Sequence, residues 1–187
     1  MRGAGVVLFL LFLVASVFAL HPFAAERALF TAAANLGAPR AALLLPLTRL
    51  GNFIVLAPLT LGAALWLIVR RRPALAVWLV ATTLGARLPV EALKLAFARP
   101  RPDLLPPLDH VVTASFPSAH AANSMATFLA VAMALRLPVW PAVLVALLIG
   151  VSRVLLAVHW PSDVAAGWAF GALVVILAAR WLPGRTA

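Results

Sequence analysis

Long apolar runs separated by short polar segments extend along almost the whole chain. Crossing the ~30 Å hydrocarbon core of a bilayer takes about 20 mostly apolar residues in a helix. Six runs approach that length, at residues 4–20, 53–69, 73–86, 121–137, 139–158 and 164–182. The pattern predicts an all-α, polytopic membrane protein, a bundle of six transmembrane helices forming a single domain over residues 1–187.

The segment between the first and second runs has a different pattern. Residues 21–50 mix charges with alanine-rich stretches that Gly37 and Pro39 interrupt, which predicts two short interfacial helices. Residues 4–20 could form the core of a signal peptide, but the run exceeds the usual length of about 7–15 residues and favours a retained helix.

Basic residues indicate the orientation of the predicted spans. The densest cluster, residues 70–72, ends the second run, and such clusters stay on the cytoplasmic side of a membrane. Pro73 then fits the first turn of the third span, where its missing N–H costs nothing. An even number of spans places both termini inside and the polar segments around residues 94–120 and 159–163 on the external face.

The amino-acid composition limits the partners and the kinds of reaction expected for this chain. The chain is 65% hydrophobic and carries a net charge of +10, with cations lying between apolar runs rather than in a basic patch. These cations are expected to set topology and to contact membrane lipids, and nucleic acid is not an expected partner. No cysteine is present and only five carboxylates occur, so the expected chemistry uses side chains alone, without metal or cofactor.

Lys94 and Arg101 lie beyond the third apolar run, and prolines at positions 100 and 102 break the helix there. Because the prolines impose an extended turn, Arg101 can fold back toward Lys94. Two converging cations suit a dianionic phosphate, the arginine through its planar fork and the lysine as a point charge. Snorkelling of both side chains to lipid head groups explains this segment equally well.

A second polar segment, residues 117–120, stands directly before the fourth apolar run. The free N–H groups of that helix and the positive end of its dipole would face the same surface and attract an anion. Ser118 could be an ordinary N-cap, which is the commoner role of a serine before a helix. A cap does not require His120.

A third polar segment links the last two runs. Arg153 stands six residues before His159, and Asp163 stands four residues after it. At that separation a carboxylate can accept the proton of one imidazole nitrogen and leave the other nitrogen as a nucleophile. The carboxylate would orient the imidazole as it does in a catalytic triad, but with the histidine itself as the nucleophile. We expect all three segments at span ends on one face of the membrane.

The three segments resemble the motifs of the membrane-bound type 2 phosphatidic acid phosphatase superfamily, which vanadium haloperoxidases share. The first motif, a lysine followed after six residues by Arg-Pro, is met at residues 94–102. The second, Pro-Ser-Gly-His, is met at residues 117–120 with Ala119 in place of glycine. The third, Ser-Arg, five residues, His, three residues and Asp, is met at residues 152–163.

This resemblance implies a role for each motif residue. His159 would attack phosphorus, Asp163 would orient it, and His120 would protonate the leaving oxygen. The other motif residues would hold the phosphoryl oxygens: Lys94, Arg101, Ser118, Ala119 through its backbone N–H, and Arg153. Water would then hydrolyse the phosphohistidine.

The implied function is that of a lipid phosphatase whose substrate keeps its tail in the bilayer. A small protein with an outward-facing site resembles the bacterial enzymes that recycle undecaprenyl pyrophosphate. We therefore expect this lipid as substrate and the bacterial inner membrane as location, with the site facing the periplasm. Phosphatidylglycerophosphate, phosphatidic acid and lipid A phosphates stay open, because no motif recognises the tail.

Two other classes of function fit the sequence less well. A transporter could use Arg87, Glu91 and Lys94 as charges along a pathway, but the sequence contains neither paired broken helices nor an inverted repeat. Arg87 and Glu91 are more simply an i, i+4 ion pair. Haloperoxidases share the anion pocket but are soluble, unlike this chain.

Two glycines bear on assembly. Gly167 and Gly171 lie four residues apart in the sixth run, a spacing that allows close approach of two helices. That approach could occur within one chain or between copies of the chain in a homo-oligomer.

Overall fold

The computed structural model describes residues 2–20 and 23–184, which form helices joined by turns and loops. Eight α-helices follow one another: α1 (Arg2–Leu20), α2 (Ala24–Gly37), α3 (Ala41–Arg49), α4 (Phe53–Val69), α5 (Pro73–Phe97), α6 (Ala119–Ala134), α7 (Val139–Leu155) and α8 (Pro161–Ala178). Single turns of 3-10 helix, Ala38–Arg40 and Ala179–Trp181, follow α2 and α8. The predicted all-α fold is confirmed.

Within the described residues, four helical stretches are long and apolar enough to cross a membrane: Gly3–Leu20, Ala24–Val69, Pro73–Phe97 and Pro161–Trp181. Helix α7 is a shorter apolar helix. Large apolar side chains cover the outside of the bundle, and Ile54, for example, is 79% exposed. Such a surface requires lipid around it, so the chain is an integral membrane protein. The six-span count and the interfacial position of α2 and α3 stay predictions.

Helix α5 begins at Pro73, as predicted, but continues well past the predicted end of its apolar run at Ala86. Charged residues end an apolar stretch without ending a helix, since alanine and leucine still favour helix around them. The helix ends at Phe97, and the next residue, Ala98, adopts a left-handed conformation with φ of 44° and donates its N–H to the carbonyl of Lys94. Lys94 therefore lies in the last turn.

The predicted ion pair between Arg87 and Glu91 is wrong. No salt bridge joins them in the part of the chain that the structure describes. The guanidinium of Arg87 instead lies 3.9 Å from the ring centroid of Phe53, the first residue of α4. Stacking on an aromatic face is favourable where water is scarce, and it draws the arginine toward α4.

Helix α8 packs between α1 and α6, and its two glycines allow a close approach to α6. A Cβ at Gly171 would lie 2.3 Å from the carbonyl oxygen of Ala122, and one at Gly167 would lie 2.7 Å from that of Ser118. The close approach thus occurs within the chain. It also brings the start of α6 against the start of α8, where the N–H of Ser118 donates to the carbonyl of Asp163 at 3.0 Å.

Candidate active site

The loop of residues 98–118 brings the predicted site residues together. It connects α5 to α6 and passes over the short turn between α7 and α8. The N–H of Leu108 donates to the carbonyl of Leu156 at 2.9 Å, and the N–H of Ser115 donates to the carbonyl of Arg99 at 2.9 Å. The ends of α5, α6, α7 and α8 therefore surround one polar cluster.

His159 and Asp163 form the predicted imidazole–carboxylate pair. Nδ1 of His159 lies 3.3 Å from Oδ2 of Asp163, and both side chains are buried. The same carboxylate oxygen accepts from the N–H of Trp160 at 2.9 Å and from the hydroxyl of Ser115. These donors fix the carboxylate, so the imidazole is held in one orientation.

The neighbours of His159 assign its proton. NH1 of Arg101 lies 3.2 Å from Nε2 of His159. A guanidinium can only donate hydrogen bonds, so Nε2 accepts with its lone pair and the proton sits on Nδ1, facing Asp163. This is the tautomer that a nucleophilic Nε2 requires.

Burial keeps this ring neutral. The side chain of His159 is 2% exposed, and burial lowers its pKa to about 3, although the hydrogen bond and the charge of Asp163 oppose that shift. Desolvation dominates because it penalises the imidazolium form directly. At neutral pH the ring is therefore unprotonated, and Nε2 carries the lone pair that faces Arg101.

Lys94 and Arg101 converge as predicted, and both donate hydrogen bonds to adjacent backbone carbonyls. Nζ of Lys94 donates to Ala114, and Nε of Arg101 donates to Thr113 at 2.8 Å. Burial, followed by the charge of Arg153, lowers the pKa of Arg101 to about 10. The guanidinium stays charged at neutral pH.

Arg153 reaches the cluster from α7 and is fully buried. Its NH1 donates to the hydroxyl of Thr48 in α3 at 2.7 Å and to the carboxylate of Asp109 at 2.6 Å. Its Nε and NH2 are buried without a hydrogen-bond partner. A guanidinium with two unsatisfied nitrogens is a ready anion ligand.

Ser118 occupies the N-cap position of α6, but its side chain makes no capping hydrogen bond. Its Oγ is buried without a partner, as is Nε2 of His120. His120 lies within electrostatic reach of the other site residues: Arg153, His159, Arg101 and Lys94. Ala119 begins α6 in helical conformation, so this position does not need the positive φ that favours glycine.

A buried ion network that the sequence pattern did not predict lies behind Asp163. Oδ1 of Asp163 accepts from NH1 of Arg99 at 2.5 Å, and NH2 of Arg99 donates to Glu26 of α2 at 3.0 Å. Glu26 also accepts from the N–H of Ser162 at 3.0 Å and from its hydroxyl at 2.5 Å. The sequence feature that could have indicated this network is Glu26, because a lone carboxylate in a mostly apolar helix needs a partner elsewhere in the fold.

The structure thus brings every predicted site residue to one place. The cluster combines three cations, an unprotonated imidazole held by a carboxylate, a second imidazole and the start of a helix. Such an arrangement suits a tetrahedral or trigonal-bipyramidal oxyanion. Within residues 2–20 and 23–184, no three metal-ligating side chains of His, Cys, Asp or Glu gather together.

Comparison with known proteins agrees with this chemistry. The model of the PAP2 superfamily matches residues 75–187, more than half of the chain. The chain is 34% identical to phosphatidylglycerophosphatase B of Bacillus subtilis over 144 residues, covering 70% of each protein. It is 53% identical to decaprenylphosphoryl-5-phosphoribose phosphatase of Mycobacterium tuberculosis over 60 residues, 32% of this chain and 33% of that protein.

A solved structure extends the similarity to the whole fold. The crystal structure of a transmembrane PAP2 type phosphatidylglycerolphosphate phosphatase from Bacillus subtilis superposes with a TM-score of 0.82 at 26% identity. The match covers 95% of this chain and 94% of that one. Family model, relative and fold agree with the motif resemblance, and the chain belongs to the PAP2 superfamily.

Proposed function

We propose that the protein is a metal-independent lipid phosphatase that forms a phosphohistidine on Nε2 of His159. One observation carries the proposal: Nδ1 is committed to Asp163, while the Nε2 lone pair faces Arg101 and the cationic side of the cluster. A neutral, oriented imidazole next to positive charge is what nucleophilic attack on a phosphate needs.

The reaction proceeds in two half-reactions. The Nε2 lone pair attacks phosphorus, the bond between phosphorus and the lipid oxygen breaks, and His120 gives a proton to the departing oxygen. Water then attacks the phosphohistidine, gives a proton to His120, and releases inorganic phosphate and neutral His159. Asp163 stabilises the positive charge that develops on the attacking ring.

Polar atoms without partners support the binding roles. Oγ of Ser118, Nε2 of His120, and Nε and NH2 of Arg153 are all buried without a hydrogen-bond partner. Leaving such groups unpaired costs about 1–3 kcal/mol each, and phosphoryl oxygens would satisfy them. Lys94, Arg101 and the N–H of Ala119 complete the set that stabilises negative charge on the equatorial oxygens.

The membrane topology belongs to the same proposal. Six spans, α1, α4, α5, α6, α7 and α8, place both termini in the cytoplasm of a bacterial cell, with α2 and α3 at the outer interface of the inner membrane. The cluster then faces the periplasm, and Arg70, Arg71 and Arg72 lie on the opposite, cytoplasmic side.

Two substrates are candidates. Undecaprenyl pyrophosphate is the lipid expected from the sequence, given a small protein with an outward-facing site. Phosphatidylglycerophosphate is favoured by a specific observation, since the solved structure that superposes over 95% of this chain is named for that activity.

Phosphate release in detergent, with EDTA present, tests the proposal on both lipids. His159→Ala should lose at least about a thousandfold in turnover and His120→Ala about 10²–10⁴-fold. His110→Ala is the matched control, because His110 lies in the loop of residues 98–118 and is exposed. Turnover of a labelled substrate, quenched in alkaline detergent, should trap a base-stable and acid-labile phosphoenzyme that His159→Ala lacks. Loss of turnover on chelation, or full activity of His159→Ala, would overturn the mechanism.

A further inference from the structure

A groove lies between α4, α5 and α6, and two of these helices, α5 and α6, also carry active-site residues. It is a cavity of about 210 Å³, lined mainly by apolar side chains, with Arg87 and Asn123 as its most polar residues. Neither residue takes part in the chemistry proposed above. Both lie on the helix faces that also carry active-site residues.

Helix geometry sets the depth of each polar group. Arg87 precedes Lys94 by seven residues on α5, which is two turns, or about 10 Å along the axis on the same face. Asn123 follows His120 by three residues on α6, about 4.5 Å along the axis. Because α5 runs toward the site and α6 runs away from it, both residues lie on the tail side of the reacting phosphate, Arg87 deeper than Asn123.

Arg87 offers a charge without a counterion. Among the described residues it has no salt bridge, and its guanidinium stacks on Phe53 at 3.9 Å. Stacking satisfies one face of the guanidinium and leaves its N–H fork free. An arginine inside an apolar groove marks a functional site, and its natural partner is an oxyanion.

Asn123 offers an unpartnered hydrogen-bonding group. The residue is 8% exposed, and its Oδ1 is buried without a hydrogen-bond partner. A hydroxyl group can donate to that oxygen, and the carboxamide can donate in return. The groove therefore presents, in order from the active site, a hydroxyl-binding amide, an anion-binding guanidinium and an apolar channel.

We propose that Arg87 and Asn123 form a second subsite for lipids whose terminal phosphomonoester is joined through a hydroxylated linker to an internal phosphodiester. The phosphodiester pairs with Arg87, the linker hydroxyl binds Asn123, and the tail continues along the groove. This inference rests on the proposed function and selects among its substrates. A pyrophosphate has no hydroxyl between its two phosphoryl groups, so it would leave Oδ1 of Asn123 without a donor.

A comparison of two lipids with identical acyl chains distinguishes binding at the subsite from binding at the active site. Phosphatidylglycerophosphate carries the terminal phosphate, the glycerol hydroxyl and the phosphodiester, whereas phosphatidic acid carries only the phosphomonoester. Wild type should prefer the former in kcat/KM by at least tenfold. Arg87→Gln and Asn123→Leu should erase most of that preference, while kcat/KM on phosphatidic acid stays within about twofold of wild type.

Arg70→Gln is the matched control, since Arg70 also stacks on an aromatic ring, that of Trp66 at 5.5 Å, but at the far end of α4. It should leave the preference unchanged. Arg87→Lys keeps the charge without the fork and should retain part of the preference, and it replaces Arg87→Gln should the latter fail to fold.

The outcomes separate the two claims. Equal losses on both lipids in the Arg87 and Asn123 variants, or an unchanged preference, would overturn the subsite while leaving the lipid phosphatase intact. A wild-type preference for undecaprenyl pyrophosphate over phosphatidylglycerophosphate would overturn it as well. Hydrolysis of no lipid phosphate by wild type would overturn the proposed function, and the subsite with it.

Discussion

Replacing Glu26 by glutamine should destabilise the protein, because Arg99 then loses one of the two carboxylates that neutralise it. The side chains of Arg99 and Glu26 are 3% and 2% exposed and lie 3.0 Å apart. Removing one partner of a buried ion pair costs about 3–5 kcal/mol, since the other charge stays buried. Glutamine keeps an oxygen that can accept from Ser162, but its amide N–H₂ then faces the guanidinium of Arg99. Both of these groups can only donate hydrogen bonds, so they cannot pair.

The expected loss is at the lower end of that range, about 3 kcal/mol, because Asp163 still neutralises Arg99 at 2.5 Å. For a chain of this size, each kcal/mol corresponds to about 2–4 °C in melting temperature. Thermal unfolding in detergent should therefore show Glu26→Gln melting about 6–12 °C below wild type.

Arg27→Gln provides the control for this experiment. Arg27 is the next residue of α2, is exposed, and undergoes the same change from a charged group to an amide. Exposed substitutions of this kind usually stay within about 0.5 kcal/mol of wild type. If Glu26→Gln melts within about 2 °C of Arg27→Gln, a difference of about 1 kcal/mol or less, then the network contributes little to stability.

Other predictions concern pH, packing and two site positions. The unfolded chain protonates His159 near its ordinary pKa of 6.5, whereas the folded protein does so only near a pKa of about 3. The free energy of unfolding should therefore fall as the pH decreases between these two values. A wild-type denaturation midpoint that falls no more steeply with pH than that of His159→Asn would contradict this. Gly171→Ala should destabilise by about 1–3 kcal/mol, since its Cβ would meet the carbonyl oxygen of Ala122 at 2.3 Å, whereas Gly62→Ala, which has open space, should be neutral or stabilising in the same melting assay. Ala119→Gly should keep phosphate release within about threefold, because the helical backbone there suits either residue, at a cost of about 1 kcal/mol or less in stability; a tenfold change in rate would refute this account of the position.

The sequence predicted that these side chains would lie close together because several of them lie at helix ends. The boundaries of apolar runs locate those ends, and the alternation of spans decides which ends share a face. Lys94, Ser118, Arg153 and Asp163 each occupy the first or last turn of a helix, or the cap beside it. Their convergence is therefore what an alternating arrangement of helices predicts, without knowledge of any long-range contact.

The supporting contacts were not predictable in this way. Glu26 and Arg99 are 73 residues apart, and Arg153 and Thr48 are 105 apart. Hydrophobic periodicity specifies which face of a helix is buried but not which distant helix covers it. Arg87 shows the same limit: its spacing to Glu91 predicted a local ion pair, yet packing of α4 against α5 placed Phe53 within reach.

The contact between Arg153 and Asp109 has a consequence for turnover. The free enzyme already holds one anion against this arginine, 2.6 Å away, on a loop side chain that is 28% exposed. A tethered carboxylate competes at an effective concentration on the order of mM, so we expect Asp109→Asn to be inhibited more strongly by inorganic phosphate, and equal inhibition would argue against the competition. We expect substrate to displace the Asp109 carboxylate from Arg153 and this carboxylate to return when phosphate leaves, so that the buried arginine is neutralised between turnovers.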